Sequence, residues 1–239
     1  MRGNILREKP RGPGVHRFIV YKEDDWILLQ ALRKTASRFM QEFQKYGLTP
    51  FIHGSVARGD IKKHSDIDII FLSPIPSYKI EIVLDSIAEY EKYIMMATPS
   101  TVPKAVYKLP GNVNISIPLL KLKKREEEFY KFGGIISSSE LASNKRVAGV
   151  NKKLLLILPK DYGHEELSLI GNEVFARRIL GVSMDIIWER ERVLMQRNER
   201  GRTGVFLNKK VPLDVCVEKF FNQLLKELPP LSKALRIHR

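Results

Sequence analysis

The sequence predicts an α/β (α+β) fold: a mixed, partly antiparallel sheet flanked by helices, followed by a smaller basic α+β unit. Three observations predict it. An amphipathic helical pattern is followed by two short apolar strands joined through a Gly-Ser turn. Two alternating segments on either side of Pro110-Gly111-Asn112 form a hairpin. Short strand and helix patterns of more basic character then run to the end of the chain.

Residues 1–16 read as a flexible basic arm, with Arg2, Arg7, Lys9 and Arg11 against a lone Glu8 and with Pro10 and Pro13 among glycines. From Lys22 to Tyr46, Trp26, Leu29, Leu32, Phe39 and Phe43 fall on one helical stripe, acids crowd the start and Gly47 ends it. "LTPFIH" is a short strand. Gly54-Ser55 then opens a short helix through Val56-Ala57-Arg58, and "DIDIIFL" is a second strand, stopped by Ser73-Pro74-Ile75-Pro76. "YKIEIVLDSIAEYEKYI" has helical spacing throughout, and "KAVYKL" with "VNISIPLL" makes the hairpin. Residues 17–120 thus form one α/β unit, with a boundary expected near residue 121.

Beyond it, residues 121–239 read as a second, basic α+β domain. "KLKKREEEFYKFGG" is a charged helix closed by glycines, "KKLLLILP" a strand and "GNEVFARRILGV" a short helix. "DIIWERERVLMQRNERGRTGVFL" fits either two strands about Gly201 or a helix at its start. A last amphipathic helix spans about Leu213 to Leu228, with Pro229-Pro230 as its stop.

The chain of 239 residues is 44% hydrophobic and 28% charged, an ordinary globular composition. No apolar run approaches the roughly 18 residues of a membrane span, and Cys216 is the sole cysteine, which excludes an internal disulfide or a cysteine metal cluster. A cytoplasmic protein is expected. The 41 Lys and Arg against 27 Asp and Glu leave a net charge of +14, which suits a polyanionic partner such as nucleic acid.

The chemistry concentrates in "FIHGSVARGDIKKHSDIDIIFL". Asp is disfavoured inside strands, yet Asp66 and Asp68 stand among Ile67, Ile69, Ile70 and Phe71. Strand alternation puts both carboxylates on one face, about 7 Å apart, with Ile67 and Ile69 turned to the core. Two such acids suit a hard divalent cation shared with substrate phosphates. Gly54 lets a phosphate approach the backbone, and Ser55 offers a hydroxyl and the free amides of a helix start. Arg58 and Lys62 or Lys63 add positive charge. The plainer reading of Arg58, Lys62 and Lys63 is exposed turn charge, and that of His53 a strand-end histidine bonded locally.

Gly-Ser, ten residues and Asp-x-Asp resemble the signature of the DNA polymerase β-like nucleotidyltransferase superfamily, over about the first half of the chain. "GSVARGDIKKHSDIDI" is similar to the active-site stretch of small prokaryotic nucleotidyltransferases and archaeal CCA-adding enzymes. The resemblance implies transfer of a nucleoside monophosphate from an NTP, with ATP the first expectation, to an acceptor hydroxyl. It makes Asp66 and Asp68 the catalytic ligands of two Mg²⁺ (or Mn²⁺) ions, and Gly54 and Ser55 the triphosphate grip, with Arg58 and Lys62 beside it. The family's third carboxylate belongs on a later strand, here "VNISIPLL", which holds Asn114 and Ser116 instead. Asp185 is an outside candidate for that role.

Three basic stretches in the second half suggest an acceptor-binding surface for RNA: "KLKKREEEFYKFGG", where Lys121, Lys123, Lys124 and Arg125 accompany Phe129, Tyr130 and Phe132, "KRVAGVNKK", with Lys145, Arg146, Lys152 and Lys153, and "RNERGRTGVF", with Arg197, Arg200 and Arg202. The missing carboxylate suggests one alternative, a degenerate nucleotidyltransferase that only binds RNA or a partner, and the resemblance itself admits another, an enzyme that adenylylates a protein.

Overall fold

The computed structural model describes residues 10, 12–201 and 204–236. Most of the expected basic arm, and Arg202, lie outside the described residues. The chain begins with β1 (His16–Val20), α1 (Glu23–Lys45), β2 (Phe51–His53), the one-turn α2 (Ser55–Arg58) and β3 (Ile67–Ile70). Next come α3 (Ser77–Asp85) and three successive strands, β4 (Glu91–Met96), β5 (Lys104–Leu109) and β6 (Val113–Pro118). The second half contains α4 (Lys124–Gly133), β7 (Ile135–Ser137), α5 (Ser138–Ala142), β8 (Gly149–Val150), β9 (Leu155–Lys160) and β10 (Gly163–Ser168). It closes with α6 (Glu173–Leu180), α7 (Met184–Arg200), β11 (Leu207–Val211), α8 (Val217–Glu227) and α9 (Pro229–Arg236).

A seven-stranded sheet runs β11-β4-β5-β6-β3-β2-β7, and a four-stranded sheet runs β1-β10-β9-β8. The larger sheet is mixed: β3 and β6 are parallel and its other pairs antiparallel. The two sheets exchange strands across the boundary expected near residue 121. The larger one takes β7 and β11 from beyond it, and the smaller one takes β1 from before it.

Two elements differ from the sequence reading, and one it left open is settled. The long helix expected over Tyr78 to Ile94 is split, because its second half alternates between buried and open positions and joins the sheet as β4 between β5 and β11. The undecided stretch after Met184 is helical to Arg200. Pro229 and Pro230 begin α9 instead of ending the chain's last helix, since the first turn of a helix needs no amide donors.

Alternation divides the larger sheet into two faces. Ile52, Ile67, Ile69, Phe71 and Ile115 pack with Phe39, Met40 and Phe43 of α1, Ile80 of α3, Phe221 of α8 and Leu231 of α9. The opposite face carries Ile70, which packs with Val102, Leu122 and Tyr130 beneath α4. A third cluster joins Phe132 of α4 to Leu156, Ala176, Ile186, Ile187 and Leu194. The Tyr21 hydroxyl fastens the smaller sheet to α2: it donates to the Gly59 carbonyl at 2.7 Å and lies 2.7 Å from His164 Nδ1. The site therefore occupies the sheet face opposite α1, where α2, α4 and the loop after β8 converge.

Candidate active site

The Gly-Ser turn is built as a backbone device. Gly54 adopts φ 84°, and its amide donates to the Gly134 carbonyl at 2.9 Å. The amides of Ala57 and Arg58 return to the Gly54 carbonyl, so those of Ser55 and Val56 are the ones a helix start leaves over. A side chain on Gly54 would place its Cβ 3.9 Å from Asp68 Oδ2, so the bare backbone leaves a gap between turn and carboxylate.

Asp68 lies within β3 and Asp66 just before it, exposed. His53 registers opposite Asp68 on β2, and Asn114 beside it on β6. Asn114 Nδ2 donates to Asp68 Oδ1 at 3.3 Å. Burial, and then the neighbouring Asp66, push the Asp68 carboxyl above its usual range, while Asn114 and Lys152 act in the other direction. Ser116 registers with Ile70, one step further along the same face.

Residues 32–137 match the model of a family described as the nucleotidyltransferase domain. The chain carries a nucleotidyltransferase domain. The match runs from within α1 to Ser137, the last residue of β7, and agrees with the DNA polymerase β-like superfamily. No curated protein and no solved structure matches the chain.

Within the nucleotidyltransferase domain, two neighbouring carboxylates facing the bare Gly54 backbone fit a divalent cation, because Mg²⁺ takes one or two protein carboxylates and completes its shell with phosphate and water. Among the described residues no cluster brings three or more His, Cys, Asp or Glu side chains together. Asp185, exposed in the first turn of α7, is not among the groups that act on Asp68.

Arg58 has a different setting from the one its sequence position suggests. It is 6% exposed, and its guanidinium grips both Asp60 oxygens, at 2.9 and 3.1 Å, and donates to the Gly133 carbonyl. Gly134 and Gly149 close over it: a Cβ on either would come within 2.8 Å of its side chain. Arg58 thus clamps α2 to the end of α4. Arg146 likewise donates to the carbonyls of Gly163 and Lys160, at 2.8 and 2.6 Å, and lies 4.9 Å over Trp26. Lys145 pairs with Glu140 at 2.5 Å.

The loop after β8 reaches the site. The charge of Lys152 acts on both Asp68 and His53. Lys62 and Lys153 are neighbours, and burial followed by Lys153 lowers the Lys62 ammonium below its usual range. Arg200 ends α7, exposed.

The sequence reading passed over Arg190 and Lys104. His53 Nε2 is buried with no hydrogen-bond partner, and the ring stands 5.7 Å from Phe129 and 5.2 Å from Tyr130. Burial, then the charges of Arg58, Lys104, Lys152 and Arg190, lower its pKa to about 3, so it is neutral at physiological pH. The signal for Arg190 was present: it stands four residues after Ile186 and four before Leu194, on the apolar stripe of its helix.

Proposed function

We propose that the protein transfers a nucleoside monophosphate from an NTP, with ATP the first choice, to a hydroxyl of an RNA acceptor, and releases pyrophosphate. The observation that carries this is the Asp68 carboxylate facing the bare backbone of Gly54, with Asp66 two residues before it, inside the segment that matches the nucleotidyltransferase domain. Asp66 and Asp68 would hold Mg²⁺ or Mn²⁺. The bound metal supplies charge neutralisation at the triphosphate and at the attacking and leaving oxygens of an in-line displacement.

The chain's own groups position and shield. Gly54 gives the triphosphate room to approach the backbone, and Ser55 and Val56 offer it their amides, with the Ser55 hydroxyl beside them and Lys62 nearby. Arg58 serves by holding this turn rigid from behind. Asn114 orients the Asp68 carboxylate through its amide and takes no proton, because a carboxamide is not a base at neutral pH. The +14 charge and the Lys152–Lys153 loop at the site support an RNA acceptor. No described helix is long and apolar enough to cross a membrane, and we place the protein in the cytoplasm.

The test is incubation of the purified protein with each α-labelled NTP, Mg²⁺ or Mn²⁺, and total RNA or cell extract, beside the Asp66→Asn/Asp68→Asn variant. Label in RNA that the variant fails to incorporate is the expected result, and label in protein would replace RNA with a protein acceptor. NTP bound without transfer to either would leave the degenerate, binding-only reading, which the uncharged Asn114 favours.

A further inference from the structure

Arg190 enters the site from α7, and its guanidinium lies 4.9 Å from the centroid of the Phe129 ring. Its Nε is buried without a hydrogen-bond partner, and among the described residues it forms no ion pair; the adjacent Glu189 pairs with Arg125. Phe129 also lies 5.7 Å from His53, which registers opposite Asp68. Lys104 approaches from β5, donating to the Tyr130 hydroxyl at 2.7 Å and lying 4.8 Å over that ring, again with no carboxylate partner among the described residues. Lys152 comes from the loop after β8, and the charges of all three reach His53.

An aromatic face offsets only part of the cost of burying a cation, and a cluster of cations repels itself. An arginine held against a ring with no carboxylate partner has N–H groups left to bind two oxygens of one anion. Lys104 and Arg190 thus each lie against an aromatic ring with no ion pair among the described residues, and the exposed Lys152 adds a third positive charge, which also acts on Asp68. A phosphate group has the charge and the several oxygens to satisfy them.

We propose that Arg190, with Lys104 and Lys152, forms a phosphate-binding pocket beside the transfer site that receives a backbone phosphate of the RNA acceptor. The proposal rests on the function given above. Two facts favour the acceptor over the triphosphate as the source of that phosphate. Arg190 and Lys152 lie outside the 32–137 segment that matches the nucleotidyltransferase domain, so they are not part of what that domain shares. They also come from the half of the chain with the three basic stretches.

The test measures binding of a short fluorescent single-stranded RNA, of its uncharged methylphosphonate analogue and of ATP with Mg²⁺ to the full chain. The variants are Arg190→Gln, Arg190→Lys and Lys152→Gln, each checked by thermal unfolding. Lys152 is exposed, so its variant stays informative if Arg190→Gln does not fold. Arg190→Gln should weaken RNA binding about tenfold and flatten its dependence on log salt by about 0.7, the slope of one single-strand phosphate contact. Arg190→Lys should recover part of the loss, and Lys152→Gln should weaken RNA binding severalfold. Neither ATP nor the methylphosphonate strand should respond. RNA affinity unchanged in Arg190→Gln and Lys152→Gln, or ATP affinity falling by the same factor, would overturn the proposal. Failure of label transfer with this RNA effect intact would instead count against the proposed function alone.

Discussion

Asn114 donates its side-chain amide to the Asp68 carboxylate from the adjacent parallel strand, at 3.3 Å. The residue registered beside this acid is therefore neutral, and it restrains the carboxylate without competing for a cation. Asn114→Asp would exchange that donor for a third negative charge. The variant should lose about 1 kcal/mol of metal-free stability through like-charge repulsion and gain roughly tenfold in Mn²⁺ affinity. Thermal unfolding with and without Mn²⁺ reads both effects, and an unchanged Mn²⁺ response would rule out Asn114 as a position of the metal site.

Asp68→Asn should raise the stability of the metal-free protein at neutral pH. The fold raises the Asp68 carboxyl above its usual range, first by burial and then through Asp66. A raised acid penalises the folded state above its folded pKa, and the penalty disappears as pH falls through the unfolded value. Wild-type protein should therefore gain relative to the variant on acidification, and stabilisation by Mg²⁺ should be absent from the variant. Equal pH profiles in urea unfolding would refute this account.

Stability should fall on mild acidification because of His53. Its pKa drops from 6.5 to about 3 on folding. Below about pH 6.5 the unfolded chain takes up a proton that the native ring refuses until about pH 3. The loss in that window is up to roughly 1.4 kcal/mol per pH unit. In His53→Gln the denaturation midpoint should decline less steeply between pH 6.5 and 5, and parallel curves would place the acid sensitivity elsewhere.

Removing half of the Arg58 clamp should cost far more than removing a surface ion pair. Asp60→Asn leaves a buried guanidinium with a weaker partner and should lower stability by about 2–3 kcal/mol. Glu140→Gln, which breaks the exposed pair with Lys145, should change stability by less than about 0.5 kcal/mol. Comparable losses for the two would mean that the clamp contributes little.

The nucleotidyltransferase half was legible because its chemistry requires residues that strands otherwise avoid. Asp66 and Asp68 marked the candidate site, and Gly54 marked a turn that only glycine makes without strain. Arg58 and Arg146 carried no such mark, since nothing local distinguishes a guanidinium aimed at phosphate from one that satisfies distant carbonyls. The partners of Arg146, Gly163 and Lys160, stand 17 and 14 residues away. β4 was hidden because helical spacing in α3 ran on into an alternating stretch. Arg190 was overlooked because one arginine on an apolar stripe reads as an exception until Phe129 is seen beneath it.

The strand exchange between the sheets bears on how the chain is made. While it emerges from the ribosome, β4 has β5 on one side and an open edge on the other until β11, at residues 207–211, has been synthesised. The partner of β1, β10, follows it by more than a hundred residues. Contacts so distant in sequence slow folding, and a nascent chain halted before β11 presents an unpaired edge to other chains. Full-length synthesis, more than any local stop signal, protects the larger sheet from edge-to-edge association.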